Sequence, residues 1–139
     1  MDLSELIRKA QEAKEKAYVP YSGFHVGAAL LCKDGTIFTG CNIENSAYGP
    51  TNCAERTAIF KAVSEGYREF QVIAIISDSK ERTSPCGVCR QVMAEFCEPD
   101  FEVIMLSCDG KYKAVTLEEL LPYAFSLTEE QLATAPELS

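Results

Sequence analysis

The chain has 139 residues, which fits one compact domain. We expect a single domain over residues 1–139, with its core at about 3–125 and a polar C-terminal tail. Apolar residues make up 47% of the chain and charged residues 24%, so its composition is that of an ordinary globular protein. No apolar run approaches the roughly 20 residues of a membrane span, and the N-terminus lacks a signal-peptide pattern. These features predict a cytoplasmic protein without a membrane partner.

The chain is acidic, with 13 basic and 21 acidic residues and a net charge of −8. Binding to a phosphate backbone is driven mostly by lysine and arginine. The charge therefore argues against DNA or RNA as a partner and favours a small, nearly neutral substrate, although a local basic groove is compatible with an acidic total.

The first half of the chain predicts a helix, a hairpin and a loop. Asp2-x-x-Glu5 resembles a capping box, and apolar residues at helical spacing extend that helix to about Ala17. Strands follow over Phe24–Cys32 and Ile37–Cys41, joined by an Asp34-Gly35 turn. The segment 42–52 has no period and is predicted as a loop, the kind of segment that often carries a functional site.

The second half alternates helices with strands. Thr51 or Asn52 would cap a helix closed by Gly66, and Ser84-Pro85 would start another that runs over about Cys86–Phe96. A capping box, Thr116-x-x-Glu119, predicts a helix that ends before Pro122, and Thr128-x-x-Gln131 would cap one more short helix. The predicted strands are Phe70–Ser77, covered on both faces, Val103–Leu106 and Tyr112–Val115. The order α-β-β-α-β-α-β-β-α predicts an α/β fold, a three-layer α-β-α domain with one mixed five-stranded sheet.

Seven cysteines are many for a chain of this kind. An odd number cannot all pair, and cytosolic thiols stay reduced, so metal binding or catalysis is the better use for some of them. Four are predicted to be small buried hydrophobic residues: Cys32, Cys41, Cys97 and Cys108. His25, the only histidine, is predicted mid-strand as a core or surface residue rather than a ligand.

The remaining three cysteines form a candidate metal site. Cys86 and Cys89 would lie on one face at a helix N-terminus, which favours thiolates. This pair alone could also be a redox pair or half of a structural zinc knuckle. Cys53 opens another predicted helix, and three thiolates around one cation would leave a zinc ion its fourth position for water, the catalytic arrangement. Glu55 is then either an ordinary first-turn acid or a proton acceptor beside the metal.

These motifs resemble a known family. Cys53-Ala54-Glu55 together with Pro85-Cys86-Gly87-Val88-Cys89 resembles the three-cysteine signature of zinc deaminases that act on nucleobases. The chain is similar to the small cytidine deaminases over roughly Leu6–Phe125. The similarity includes these further segments: Val19–Ser22, Phe24–Ala29, Gly40–Asn45, Asn52–Gly66 and Glu118–Phe125.

The resemblance implies an activity and residue roles. It implies one Zn²⁺ per chain, with Glu55 moving protons while cytidine or 2′-deoxycytidine is hydrolysed in pyrimidine salvage. Phe24 would pack against the base, and Asn42 and Glu44 would hydrogen-bond the ribose. The Ala54 amide, with the backbone around Ser84 and Pro85, would read the base edge. Without the resemblance, Asn42 and Glu44 would be taken for a turn residue and a solvated charge.

Arg56 has a further role on charge grounds. Three thiolates and Zn²⁺ sum to −1, so a guanidinium beside Cys53 could hydrogen-bond a thiolate and tune the metal. The alternative is a charge on the helix surface.

The resemblance also implies a homotetramer whose sites are completed by neighbouring subunits, with Tyr48 and Phe125 contributed across the interfaces. Such aromatic residues are more often part of a core. Two other functions stay open. One is a deaminase for another substrate, such as a nucleoside antibiotic or a tRNA base. The other is a structural zinc or redox protein, which requires a fourth ligand or a Cys86–Cys89 disulfide.

Overall fold

A computed structural model describes residues 2–127. Its helices are α1 (Leu3–Lys14), α2 (Ala54–Ser64), α3 (Gly87–Phe96) and α4 (Leu117–Leu120). Its strands are β1 (Val26–Cys32), β2 (Ile37–Cys41), β3 (Phe70–Ser77), β4 (Glu102–Leu106) and β5 (Tyr112–Thr116). The predicted helix cap Thr128-x-x-Gln131 lies outside the described residues. Within residues 2–127, none of the helices has the length and apolar character needed to span a bilayer.

The five strands form one mixed sheet in the order β2-β1-β3-β4-β5. Only β3 and β4 run parallel; the other neighbouring strands pair antiparallel. The β1–β2 hairpin turns at Asp34-Gly35, where Gly35 takes a φ of 94° that suits glycine. The parallel pair is joined through α3, which is the crossover connection that parallel strands require. The predicted α/β fold with one mixed five-stranded sheet is confirmed.

Helices cover both faces of the sheet. On one face, α1 buries Leu6 and Ala10 against the odd-numbered residues of β1, such as Ala29 and Leu31. On the other face, α2 packs against β1, and Met93 of α3 belongs to the same core as the even-numbered Leu30. Strand β3 is buried on both sides over nearly its whole length, as its unbroken apolar run predicts. The three-layer arrangement leaves the starts of α2 and α3 on the same side of the sheet.

Two element ends differ from the prediction by more than one residue. Helix α1 stops at Lys14 rather than Ala17, because the amides of Lys16 and Ala17 bond three residues back and tighten the chain into a turn. Strand β1 starts at Val26, so His25 precedes the strand instead of lying within it. The His25 amide and ring nitrogen Nδ1 both contact the Asp78 carboxylate at 2.8 Å.

The four cysteines outside the candidate metal site lie at different depths. Cys32 is buried, as predicted, whereas Cys41 and Cys97 are partly buried. Burial raises the pKa of Cys97 to about 12, as expected for an unreactive thiol. The prediction was wrong for Cys108, which is exposed because it follows Ser107 into the turn beyond β4.

Candidate metal centre

Two helix N-termini meet at the three cysteines. Cys53 is the N-cap of α2, and Cys86 is the N-cap of α3 with its sulfur accepting the Cys89 amide. The predicted caps Thr51, Asn52 and Ser84 were therefore wrong. The Ser84 hydroxyl accepts a hydrogen bond from Arg90, and Asn52 pairs its backbone with Ile43.

The sulfur geometry fits a zinc ion. Cys53 Sγ lies 3.9 Å from Cys86 Sγ, and Cys86 Sγ lies 3.5 Å from Cys89 Sγ. All three sulfurs lie within 4.8 Å of one another. Zinc–sulfur bonds of about 2.3 Å at tetrahedral angles place two sulfurs about 3.8 Å apart. Among the residues described, no fourth histidine, cysteine or carboxylate joins this group.

Arg56 contacts this sulfur cluster directly. Its Nη2 donates to Cys53 Sγ at 3.1 Å from one turn further along α2. The Cys89 thiol and then the Arg56 guanidinium hydrogen-bond Cys53, and together they lower the pKa of Cys53 to about 5 against the effect of burial. A thiolate at Cys53 is the form that can bind a metal. The structure thus places Arg56 against the sulfur and not on the open face of the helix.

Glu55 is a buried carboxyl beside the thiols. Its residue is only 4% exposed, in the first turn of α2. Burial, and next the negative charge of Cys53, raise the pKa of Glu55 to about 7. A carboxyl with that pKa can both accept and donate a proton near neutral pH. An ordinary first-turn acid would instead be solvated and ionised.

The loop 42–52 is held beside Cys53 by backbone hydrogen bonds. Ile43 exchanges two such bonds with Asn52, and the residues on either side of Ile43 bond the backbone of Tyr18. Because Asn52 precedes Cys53 directly, this short ladder fixes Asn42 and Glu44 close to the start of α2. Loop and metal cluster therefore belong to one region of the fold.

Asn42 organises the segment that carries Phe24. Its side chain accepts the Val26 amide at 2.9 Å and donates to the Phe24 carbonyl at 2.8 Å. An amide oxygen accepts two hydrogen bonds and an amide nitrogen donates two, so each end keeps one free for a ligand. Phe24 itself is 41% exposed, which leaves its ring accessible.

Glu44 is bound by the turn before it. Its carboxylate accepts the amides of Tyr21 and Ser22 at 3.0 and 3.1 Å, and also the Ser22 hydroxyl. The Ser22 hydroxyl is the main cause that lowers the pKa of Glu44. Sequence reasoning did not identify this role of Tyr21 and Ser22, because a contact across about 20 residues leaves no local pattern.

The remaining predicted site residues differ in exposure. Ala54 is fully buried at the start of α2. Tyr48 is 93% exposed and Phe125 is 67% exposed, so neither belongs to the core of this chain. Sequence reasoning also missed Arg90, which follows Cys89 directly. The available signal is weak: this arginine has no acidic residue three or four positions away on its helix.

A cluster of three cysteines without a fourth protein ligand among the described residues, next to a carboxyl with a pKa near neutrality, is characteristic of catalytic rather than structural metal centres. Comparison with known proteins gives the family. Residues 1–105 match the model described as the cytidine and deoxycytidylate deaminase zinc-binding region. The chain belongs to the cytidine and deoxycytidylate deaminase family, as its motifs predict, and it is an enzyme of that family.

Several relatives support this membership. A protein named cytidine deaminase from Sporosarcina psychrophila is 55% identical over 137 residues, which cover 99% of both chains. One of the same name from Halalkalibacterium halodurans is 56% identical over 91% of this chain and 96% of its own. The crystal structure of cytidine deaminase from Burkholderia pseudomallei superposes with a TM-score of 0.87 at 49% identity, covering 90% of this chain and 100% of that one.

Proposed function

We propose that this chain is a zinc-dependent cytidine deaminase that hydrolyses cytidine and 2′-deoxycytidine. The products are uridine or 2′-deoxyuridine and ammonia. The observation that carries the proposal is the buried Glu55, with a pKa of about 7, beside three sulfurs whose spacing suits zinc. The relatives that bear this name and align over nearly the whole chain support the same substrate.

In this proposal, Cys53, Cys86 and Cys89 hold the zinc ion. A bound zinc ion would lower the pKa of a coordinated water towards ~7 and would thus supply a nucleophile for C4 of the base. Glu55 would accept a proton from the attacking water and pass it to N3 of the ring. It would then take the remaining proton from the new C4 hydroxyl and deliver it to the amino group at C4. The C4–O bond forms, the C4–N bond breaks and ammonia leaves.

The neighbouring groups position the nucleoside. The exposed ring of Phe24 packs against the base, while Asn42 and Glu44 bind ribose hydroxyls with the hydrogen-bonding capacity that their internal contacts leave free. A site built this way rejects analogues without those hydroxyls, because its own polar groups would lose their partners. The Ala54 amide, with the backbone around Ser84 and Pro85, reads the base edge.

The proposed reaction also bears on the metabolic role, the location and the assembly of the protein. Converting cytidine to uridine is a step of pyrimidine salvage, and reduced thiol ligands favour a reducing compartment, which supports a cytoplasmic location. Tyr48 and Phe125 are exposed aromatic side chains, and we infer that they complete the sites of neighbouring subunits in a homotetramer.

A side-by-side assay tests the function. Purified protein with its zinc content measured is given cytidine, 2′-deoxycytidine, cytosine and adenosine, and turnover is followed by ultraviolet absorbance. We expect about one zinc per chain and turnover of the two cytosine nucleosides alone. Zinc binding without turnover would favour a structural metal protein, and turnover of cytosine or adenosine would overturn the assigned substrate.

A further inference from the structure

Arg90 holds together two segments that lie far apart in the chain. From the first half of α3, its Nε donates to the Pro85 carbonyl at 2.9 Å and its Nη2 to the Ser84 hydroxyl at 2.7 Å. Its Nη1 donates to the Leu120 carbonyl, at the end of α4, at 2.8 Å. Ser84 and Pro85 immediately precede Cys86. One guanidinium therefore joins the loop of a candidate metal ligand to the start of the C-terminal segment.

The three acceptors of Arg90 are neutral oxygens. No carboxylate lies within ion-pair distance of this guanidinium in the portion of the chain described here, residues 2–127. The planar guanidinium presents donors in several directions at once, which a lysine ammonium on a flexible stem cannot reproduce. These observations point to a role in geometry, not in charge balance.

Gln91, the next residue of α3, continues the same attachment. Its Nε2 donates to the Phe125 carbonyl at 2.8 Å. Between the two attached carbonyls, of Leu120 and Phe125, the chain contains Pro122 and a left-handed Tyr123 with a φ of 56°. No regular element spans these residues, so the two side chains of α3 supply the hydrogen bonds that fix where Phe125 is presented.

We propose that Arg90 and Gln91 are positioning residues that couple the metal-ligand loop to the segment 120–125. The inference rests on the proposed function, in which Phe125 completes the site of a neighbouring subunit. Helix α3 then serves two sites at once. Its N-terminus supplies Cys86 and Cys89 to the site of its own chain, and its second turn sets the aromatic side chain offered to the neighbour.

The test uses zinc-loaded, full-length variants. Arg90→Lys keeps the positive charge and loses the planar guanidinium with its several donors. Gln91→Met keeps the length of the side chain and loses the Nε2 donor. The matched control is Arg68→Lys, because Arg68 also donates to two backbone carbonyls, at the far end of α2. Hydrogen exchange of residues 117–127 is measured by mass spectrometry, together with KM and kcat for cytidine and zinc retention against a chelating dye.

We expect residues 117–127 to exchange faster in both α3 variants than in the wild type. In the Arg68→Lys control, exchange should proceed at the wild-type rate. Gln91→Met should raise KM about 3–10-fold with little change in kcat, the scale of one lost hydrogen bond. Arg90→Lys should in addition release zinc faster, because it also frees the loop before Cys86. If the wild type deaminates cytidine but the α3 variants keep its exchange rate and its KM, this inference is overturned and the proposed function is not. A wild type that fails to deaminate cytidine would overturn the proposed function as well.

Discussion

At the scale of single residues, the site depends on a carboxyl kept protonatable and a thiol kept ionised within one turn of α2. Burial raises the pKa of Glu55 to about 7, whereas hydrogen bonds from Cys89 and Arg56 lower that of Cys53 to about 5. The two pKa shifts have opposite directions, and each one suits its residue to a different role. Cys53 is prepared to bind a cation, and Glu55 is prepared to exchange protons.

Glu55→Gln tests that division. The amide keeps the shape of the side chain but cannot carry a proton between atoms, so we expect kcat to fall about 100-fold or more. Zinc content should stay near one per chain, because the proposed ligands are sulfurs. Glu65→Gln, at the exposed end of the same helix, is the matched control. Wild-type turnover by Glu55→Gln would show that another group moves the protons.

Arg56→Gln tests the second residue. The guanidinium helps to lower the pKa of Cys53, so its removal raises that pKa and lets protons compete better with zinc. We expect zinc affinity at fixed pH to fall about 10-fold, the lower end for loss of a partner hydrogen-bonded to a ligand. The pH at which acid releases zinc should move upwards, as followed with a chelating dye. Arg68→Gln is the control; identical release curves for all three proteins would make Arg56 a charge without influence on the metal.

Sequence alone reaches some of these residues and misses others for a definite reason. Cys53, Glu55, Cys86 and Cys89 stand in two short motifs, so spacing and helix starts predict a candidate metal site, and the family resemblance chooses among its possible uses. The cap at Ser84 was predicted wrongly, because its hydroxyl is taken by Arg90, six residues away, rather than by a free amide of the helix. The contacts of Ser22 with Glu44 depend on how two loops meet, which no local pattern records.

At the scale of elements, two glycines set how closely helices approach the sheet. A Cβ on Gly40 of β2 would lie 2.5 Å from the Ala54 carbonyl oxygen and 2.5 Å from the Ala58 amide of α2. A Cβ on Gly27 of β1 would lie 2.2 Å from the Ala10 carbonyl oxygen of α1. Both contacts are with backbone, which cannot turn aside as a side chain can. Glycine in a strand signals close approach but does not identify the partner.

Because both glycines face the backbone of a helix, Gly40→Ala and Gly27→Ala form a matched pair of variants. Each added methyl must push a helix away, so we expect each to lower the free energy of unfolding by about 1–3 kcal/mol in urea titrations. Only α2 carries Cys53 and Glu55 in its first turn. Gly40→Ala should therefore also lose zinc affinity and kcat, while Gly27→Ala keeps both in the folded fraction. Equal catalytic losses would mean that the position of α2 does not control the site.

The order of elements was predictable and their ends were less so. Helix α4 begins at its capping box, in which Thr116 and Glu119 bond each other's backbone amides as the motif indicates. Helix α2 has no such signal at Cys53, whose sulfur instead accepts a hydrogen bond from Arg56. Cys86 differs, because its sulfur both caps α3 and belongs to the candidate metal site, so a cysteine at a helix start can serve either purpose.

At the scale of the whole molecule, two exposed aromatic side chains support the proposed homotetramer. Tyr48 is 93% exposed and Phe125 67%, although aromatic rings normally gain stability from burial. Tyr48 lies in the loop beside Cys53, and Phe125 lies on the segment attached to α3. The fold of one chain could be predicted from its own pattern. The completion of its site could not, because the relevant contacts would lie between chains.

Mixed oligomers test whether the site is shared. In the proposed homotetramer, Glu55→Gln disables the site of its own chain, whereas Phe125→Ala impairs the site of a neighbour. We expect Phe125→Ala alone to lose activity about 10-fold, as for loss of one aromatic contact in a binding site. After co-expression of the two variants in equal amounts, about a quarter of the sites should combine an intact Glu55 with an intact Phe125 from the adjacent chain.

Such hybrids should therefore turn over cytidine faster than a mixture of the two parent variants that were folded separately and do not exchange subunits. Light scattering on the same samples should give a mass near four chains. The control is a double variant that carries both Glu55→Gln and Phe125→Ala, co-expressed with the single variant Glu55→Gln. None of the sites in these hybrids has an intact Glu55. If activity after co-expression equals the mean of the parents, Phe125 acts within its own chain. The exposed ring at the end of the α3 attachment would then serve the subunit that carries it.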